Sequence, residues 1–203
     1  MGYINTILKS RIFKSYISLI IFSFFLILPA FAQEEVFDEQ KIAETVEFFR
    51  ASYNLGKYDE AQKIIGQIDE KNYDSETLLL LGNIYDTKND TKNAINYYKK
   101  AISADEKNYK AYYNLALVYS KIKKYELSVE NYRQALKIKR DFAQGYYNLG
   151  CVYLELQDYK KAKKSFINAT IFNPNERKYF YNLAYAYKKL NKEKTAQKIL
   201  KQL

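Results

Sequence analysis

The sequence predicts an all-α fold, a solenoid of stacked antiparallel helix hairpins, about five of them. Three observations lead there. A five-residue phrase returns every 34 residues, as Tyr112-Tyr113-Asn114-Leu115-Ala116, Tyr146-Tyr147-Asn148-Leu149-Gly150 and Phe180-Tyr181-Asn182-Leu183-Ala184. A fixed period of this length marks a helix-turn-helix array, not independent domains. Small residues recur in register with large apolar ones, as two packed helices require. Finally, six Gly, two Pro and 48% apolar residues in a chain of 203 indicate a folded, mainly helical protein with short connections.

Residues 1–32 read as a segment apart. Lys9, Arg11 and Lys14 make a basic start, residues 16–28 are an uncharged apolar run, and Pro29-Ala30-Phe31-Ala32 places small residues at the −3 and −1 positions of a cut before Gln33. The expectation is a signal peptide cleaved after Ala32, which exports the chain to the periplasm or cell envelope. The alternative is an uncleaved inner-membrane anchor through residues 16–32, at the short end of what spans a bilayer. No cysteine follows the cut, which argues against a lipid anchor.

A short acidic lead, residues 33–41, follows. Residues 42–74 read as an irregular first hairpin that caps the stack, because terminal repeats deviate from the rest. There Gly56-Lys57-Tyr58-Asp59-Glu60-Ala61 fits a turn and a helix start, but Ala61 to Ala94 is 33 residues, one short of the period. Regular tiles then occupy residues 75–108, 109–142 and 143–176, and a shortened one fills 177–203. Within a tile, position 7 is Leu81, Leu115, Leu149 or Leu183, and position 8 is Gly82, Ala116, Gly150 or Ala184. Position 11 is always Tyr, as Tyr85, Tyr119, Tyr153 and Tyr187. Positions 4, 7, 8 and 11 form one helical stripe. The second helix has Ala94, Ser128, Ala162 and Ala196 at position 20, with Tyr98, Tyr132, Phe166 and Leu200 at position 24. The small residues at 8 and 20 let paired helices approach to about 8–10 Å. Ten helices follow, near residues 39–54, 58–70, 74–88, 91–104, 108–122, 125–138, 142–156, 159–172, 176–190 and 193–202.

Together with Ala101, Ala135 and Ala169 at position 27 and Pro174 at position 32, these residues resemble the tetratricopeptide repeat. The resemblance covers residues 75–203. It implies a right-handed superhelix whose first helices line an inner groove, through positions 2, 5, 6, 9, 12 and 13, and a function in binding proteins. On this chain those positions include Asn83, Tyr113, Asn114, Tyr147, Asn148, Lys178, Tyr181 and Asn182, which are the candidate partner-binding residues. An amide offers a donor and an acceptor together, which suits it to gripping an extended peptide whatever its side chains are. The competing reading is that the same Asn row bonds within or between neighbouring helices and that the tyrosines fill the core. The family's terminal-carboxylate clamp is not expected, since Leu79, Gln144 and Asn148 stand at its three basic places.

Composition bounds the rest. There is no histidine and no tryptophan, and Cys151 is the one cysteine, so His-dependent catalysis and His/Cys zinc sites are excluded. No nucleophile-base pair or phosphate loop is seen; no enzyme activity, cofactor or metal is expected. Charge is uneven. Residues 33–108 hold 10 Lys/Arg against 16 Asp/Glu, and residues 109–203 hold 20 against 7. A basic patch is expected from Lys121, Lys123, Lys124, Lys160, Lys161, Lys163, Lys164, Lys188 and Lys189. It suits an acidic partner or a membrane surface, giving as second reading a membrane-associated assembly factor; the plainer one is a solvated face. With an export signal, nucleic acid is not the expected partner, and the opposite charges of the halves favour self-association.

Overall fold

The computed structural model describes residues 30–201, with side chains from Asp38 onward. Ten α-helices and one 3₁₀ turn make up the described chain: α1 (Ala30–Asn54), α2 (Tyr58–Ile65), the 3₁₀ turn Glu70–Asn72, α3 (Ser75–Thr87), α4 (Thr91–Ala104), α5 (Tyr109–Lys121), α6 (Tyr125–Ile138), α7 (Ala143–Glu155), α8 (Tyr159–Phe172), α9 (Arg177–Lys189) and α10 (Glu193–Leu200). The chain divides into two compact units, one ending at Asp69 and one beginning at Glu70.

The first unit is the α1–α2 hairpin. Helix α1 starts nine residues before its expected position, so the acidic lead is itself helical, as its Pro- and Gly-free run allows. Helix α2 stops at Ile65, five residues early, where Gly66 weakens further helix. Of the signal segment 1–32, residues 1–29 lie outside the described residues, and the Ala32–Gln33 bond lies in the first turn of α1. Among the described residues no helix is long and apolar enough to cross a membrane.

The second unit stacks four hairpins, α3–α4, α5–α6, α7–α8 and α9–α10. Position 8 is small, as read from the sequence, but the residue that presses on it is the ring at position 24 and not the small one at position 20. A methyl group added to Gly82 would stand 2.5 Å from the Tyr98 ring, and one added to Gly150 would stand 2.6 Å from Phe166. Both rings are buried, so position 8 is small because position 24 presses a ring on its backbone. Ala116 tolerates its own ring, Tyr132, and its carbonyl accepts a bond from Ser128 Oγ at 2.8 Å.

Each hairpin turns on one left-handed residue. Asn89, Lys123, Gln157 and Asn191 have φ of 57–60°, at the same tile position, and Gly56 plays that part in the first hairpin with φ 74°. Around each, two bonds close the helix end, as where Asn89 N–H meets Asp86 O and Asp90 N–H meets Tyr85 O. This is the Schellman arrangement, and it reverses the chain within three residues. Asp90 and Asp158 then cap the next helix through the N–H groups of Asn93 and Lys161. Between tiles, Asp74 and Asn108 cap α3 and α5.

Candidate functional site: the first-helix face

Successive first helices α3, α5 and α7 touch one another directly, and α4, α6 and α8 each pack between the first helices on either side. Second helices make no comparable approach among the described residues, so the stack closes toward its first helices. That side is the concave face.

The Asn row lies there, half-buried, and it ties one tile to the next. Asn114 Nδ2 donates to Asn83 Oδ1 at 2.7 Å, and that oxygen also accepts from the Tyr98 hydroxyl at 2.9 Å. Asn148 Nδ2 donates to the Tyr113 hydroxyl at 2.9 Å, and Asn182 Nδ2 donates to the Tyr147 hydroxyl at 3.0 Å. The rule is therefore position 6 of one tile to position 5 or 9 of the tile before. Gln144 extends the net, donating to Asn148 Oδ1 at 2.9 Å and accepting from the Tyr179 hydroxyl at 3.1 Å. Of the two readings of the Asn row, bonding between neighbouring helices is what the structure contains. The amides of Asn114, Asn148 and Asn182 thus each donate to the tile before, and Asn182 also reaches Cys151 Sγ at 3.9 Å.

The tyrosines are equally divided. Tyr113 meets Phe142, the residue that leads into α7, edge-on at 4.9 Å, and Tyr147 stacks on Tyr179 of the next tile at 4.8 Å. Burial raises the Tyr113 and Tyr179 phenols above their usual value and takes Tyr147 to about 12, with the neighbouring Cys151 thiol adding to the last. Tyr132, deeper still beside Tyr113 and Asn148, is raised further. All four remain neutral at pH 7 and can donate as well as accept. Cys151 is half-buried at 3.9 Å from Asn182 Nδ2; burial pushes its thiol up, which makes it unreactive packing.

Three residues stand free of this seam. Tyr181 is 50% exposed and Tyr185 46%, and Leu117 on α5 is 37% exposed. Leu117, Cys151 and Tyr185 occupy the same tile position, so they form an apolar column along the face. Exposed Lys178 lies over the rings of Tyr147 and Tyr179 at 5.4 and 5.6 Å, with Glu176 at 3.8 Å. The Leu117–Tyr185 column was missed in sequence reasoning because its members differ in type; only their shared tile position signals it. Among the described residues no three acidic or thiol groups gather as metal ligands.

Of the basic patch, Lys121 pairs with Asp86 at 3.6 Å and Lys161 with Asp158 at 2.8 Å. Lys163 lies over Tyr187, and Lys189 over Tyr159 and Tyr185. Lys123, Lys124, Lys160, Lys164 and Lys188 are exposed.

Four helical hairpins, each turned on one left-handed residue and three of them closed by a small residue under a ring, define a helical-repeat protein. The tetratricopeptide repeat profiles match residues 75–108, 143–176 and 178–203, with related ones on 97–130 and 121–157, and the chain belongs to that family. Its fold is similar to solved structures of MamA. One, from strain AMB-1, superposes with a TM-score of 0.71 at 21% identity over 80% of this chain and 90% of that one. Another, MamA from Desulfovibrio magneticus RS-1, gives 0.70 at 21% identity over 80% and 92%. A third MamA structure gives 0.68 at 24% identity over 75% and 90%. No curated protein matches the sequence.

Proposed function

We propose that this protein is a non-enzymatic scaffold of the cell envelope that holds an extended segment of a partner protein against its first-helix face. As a tetratricopeptide repeat protein it is a protein-interaction scaffold; the groove, the occupant and the location are our reading. The single observation behind it is the Leu117–Cys151–Tyr185 column, with exposed Tyr181 beside it, on one concave face. Apolar surface edged by amides and phenols suits a peptide whose side chains pack against it. First helices about 10 Å apart and an extended chain rising about 3.3 Å per residue put one tile beside every third peptide residue.

The bonding pattern decides how to test this. Changing Asn114, Asn148 and Asn182 to Ala would loosen the stack as well as the groove, so a loss of binding would mean little. Affinity capture from native cells with a Leu117→Lys, Tyr181→Ala, Tyr185→Ala variant separates the two. Loss of the main partners at unchanged thermal midpoint is expected. Retention of every partner overturns the groove reading.

A further inference from the structure

The lysine clusters that are scattered in the sequence meet on one edge of the molecule, and it is not the groove. The four turns of the second unit, around Asn89, Lys123, Gln157 and Asn191, are joined in space by three contacts. Lys121 donates to Asn89 Oδ1 at 3.0 Å, the Tyr125 hydroxyl donates to Glu155 Oε2 at 3.3 Å, and Lys189 Nζ lies 6.0 Å from the centre of the Tyr159 ring. Each contact links one tile's turn to the next, so the turns form a continuous ridge along the stack. Part of its charge is internally balanced, as in Lys121 with Asp86 and Lys161 with Asp158. Lys123, Lys124, Lys160 and Lys188 are exposed on it and have no ion pair among the described residues. Leu127, in the first turn of α6, and Leu156, capping α7, stand among them 40% and 37% exposed.

We propose that this turn ridge is a docking surface for an anionic lipid bilayer, with the lysines on headgroup phosphates and Leu127 and Leu156 entering the headgroup layer. An acidic protein segment or a soluble polyanion would use the lysines alone. Exposed leucines interleaved with lysines along one edge are the arrangement that lipid interfaces select, since apolar contact and electrostatic attraction add there. The exposed lysines span three tiles of about 10 Å each, a line long enough to meet several headgroups at once. The groove faces elsewhere, so the bilayer and a peptide partner can be held together.

The test is co-sedimentation of the full chain, as isolated from cells, with vesicles of pure phosphatidylcholine and of phosphatidylcholine with phosphatidylglycerol. Any attachment through residues 1–29 is common to both, and the ridge is read from the increment that phosphatidylglycerol adds. That increment should fall with salt and, at roughly fivefold per lysine removed, by on the order of several hundredfold in a Lys123→Gln, Lys124→Gln, Lys160→Gln, Lys188→Gln variant. A Leu127→Ser, Leu156→Ser variant should lose several-fold while keeping the salt dependence. An unchanged increment in the lysine variant overturns the proposal. So does an equal loss per lysine removed in Lys110→Gln with Lys178→Gln, which would report net charge alone. Binding to soluble polyglutamate as tight as to the vesicles, with no effect of the leucine changes, would reassign the ridge to an acidic polymer. Matching thermal midpoints across the variants confirm that all are folded.

Discussion

The concave face and the turn ridge are both repeated once per tile, yet they use their polar groups in opposite ways. On the concave face the amides of Asn114, Asn148 and Asn182 are tied into the preceding tile, and the tyrosines beside them are half-buried against the following one. On the ridge, Lys123, Lys124, Lys160 and Lys188 project into solvent. Polar groups between packed helices must be paired, because a buried orphan costs more than a hydrogen bond returns. Those at a turn face no such demand. An amide repeated in register on the inner face therefore carries two duties, whereas an exposed, unpaired lysine at a turn is free for a ligand.

The largest effect should come from the ring that sets the hairpin spacing. Phe166→Ala, opposite Gly150, should cost about 4 kcal/mol, measured by urea unfolding, with the loss concentrated in hydrogen exchange of α7 and α8. Next comes the seam itself. Asn148→Ala leaves the Tyr113 hydroxyl and Gln144 without their shared amide and should cost about 1–2 kcal/mol; no loss would mean the concave face is not a seam at all. Gln157→Gly should instead stabilise by about 0.5–1 kcal/mol in the same assay, because a left-handed residue with a side chain is strained where glycine is not.

The capping carboxylates sharpen the contrast through pH. Asp90 is held below its usual range by the Asn93 side chain and then its N–H, and Asp158 by Lys161. Their folded values are depressed, so their contribution is present above the ordinary carboxylate value near 4 and is lost as pH falls below it. Thermal midpoints scanned from pH 6 to 2 should drop in that window, and less steeply in Asp90→Asn. The smallest effect belongs to the ridge, where Lys160→Gln should change unfolding by less than about 0.5 kcal/mol. A larger loss would make the lysines structural.

Much of this was legible in the sequence. The 34-residue phrase placed seven of the ten helices to within a residue at each end, and it marked Gly82 and Gly150 as small and Tyr98 and Phe166 as large, but it paired position 8 with position 20 and not with the ring at position 24 that presses on it. Periodicity works there because each tile repeats one packing problem. It fails where tiles stop being equivalent, hence the late end given to α2 and the late start given to α1. The partners of the Asn row were hidden for a different reason. Register says that three amides share a face, but an amide's bonds depend on the offset between tiles, which only coordinates fix. The ridge was hidden likewise, since Lys121 reaches Asn89 across 32 positions of sequence.

The central claim is that the partner lies on the first-helix face. The most direct measurement is in-cell photo-crosslinking from a probe residue placed at Leu117 or Tyr185, compared with one at Glu130 or Arg133 on α6. The account predicts discrete adducts from the first pair and none from the second, with the α7 face mapped by mass spectrometry. Adducts arising only from α6 would contradict it.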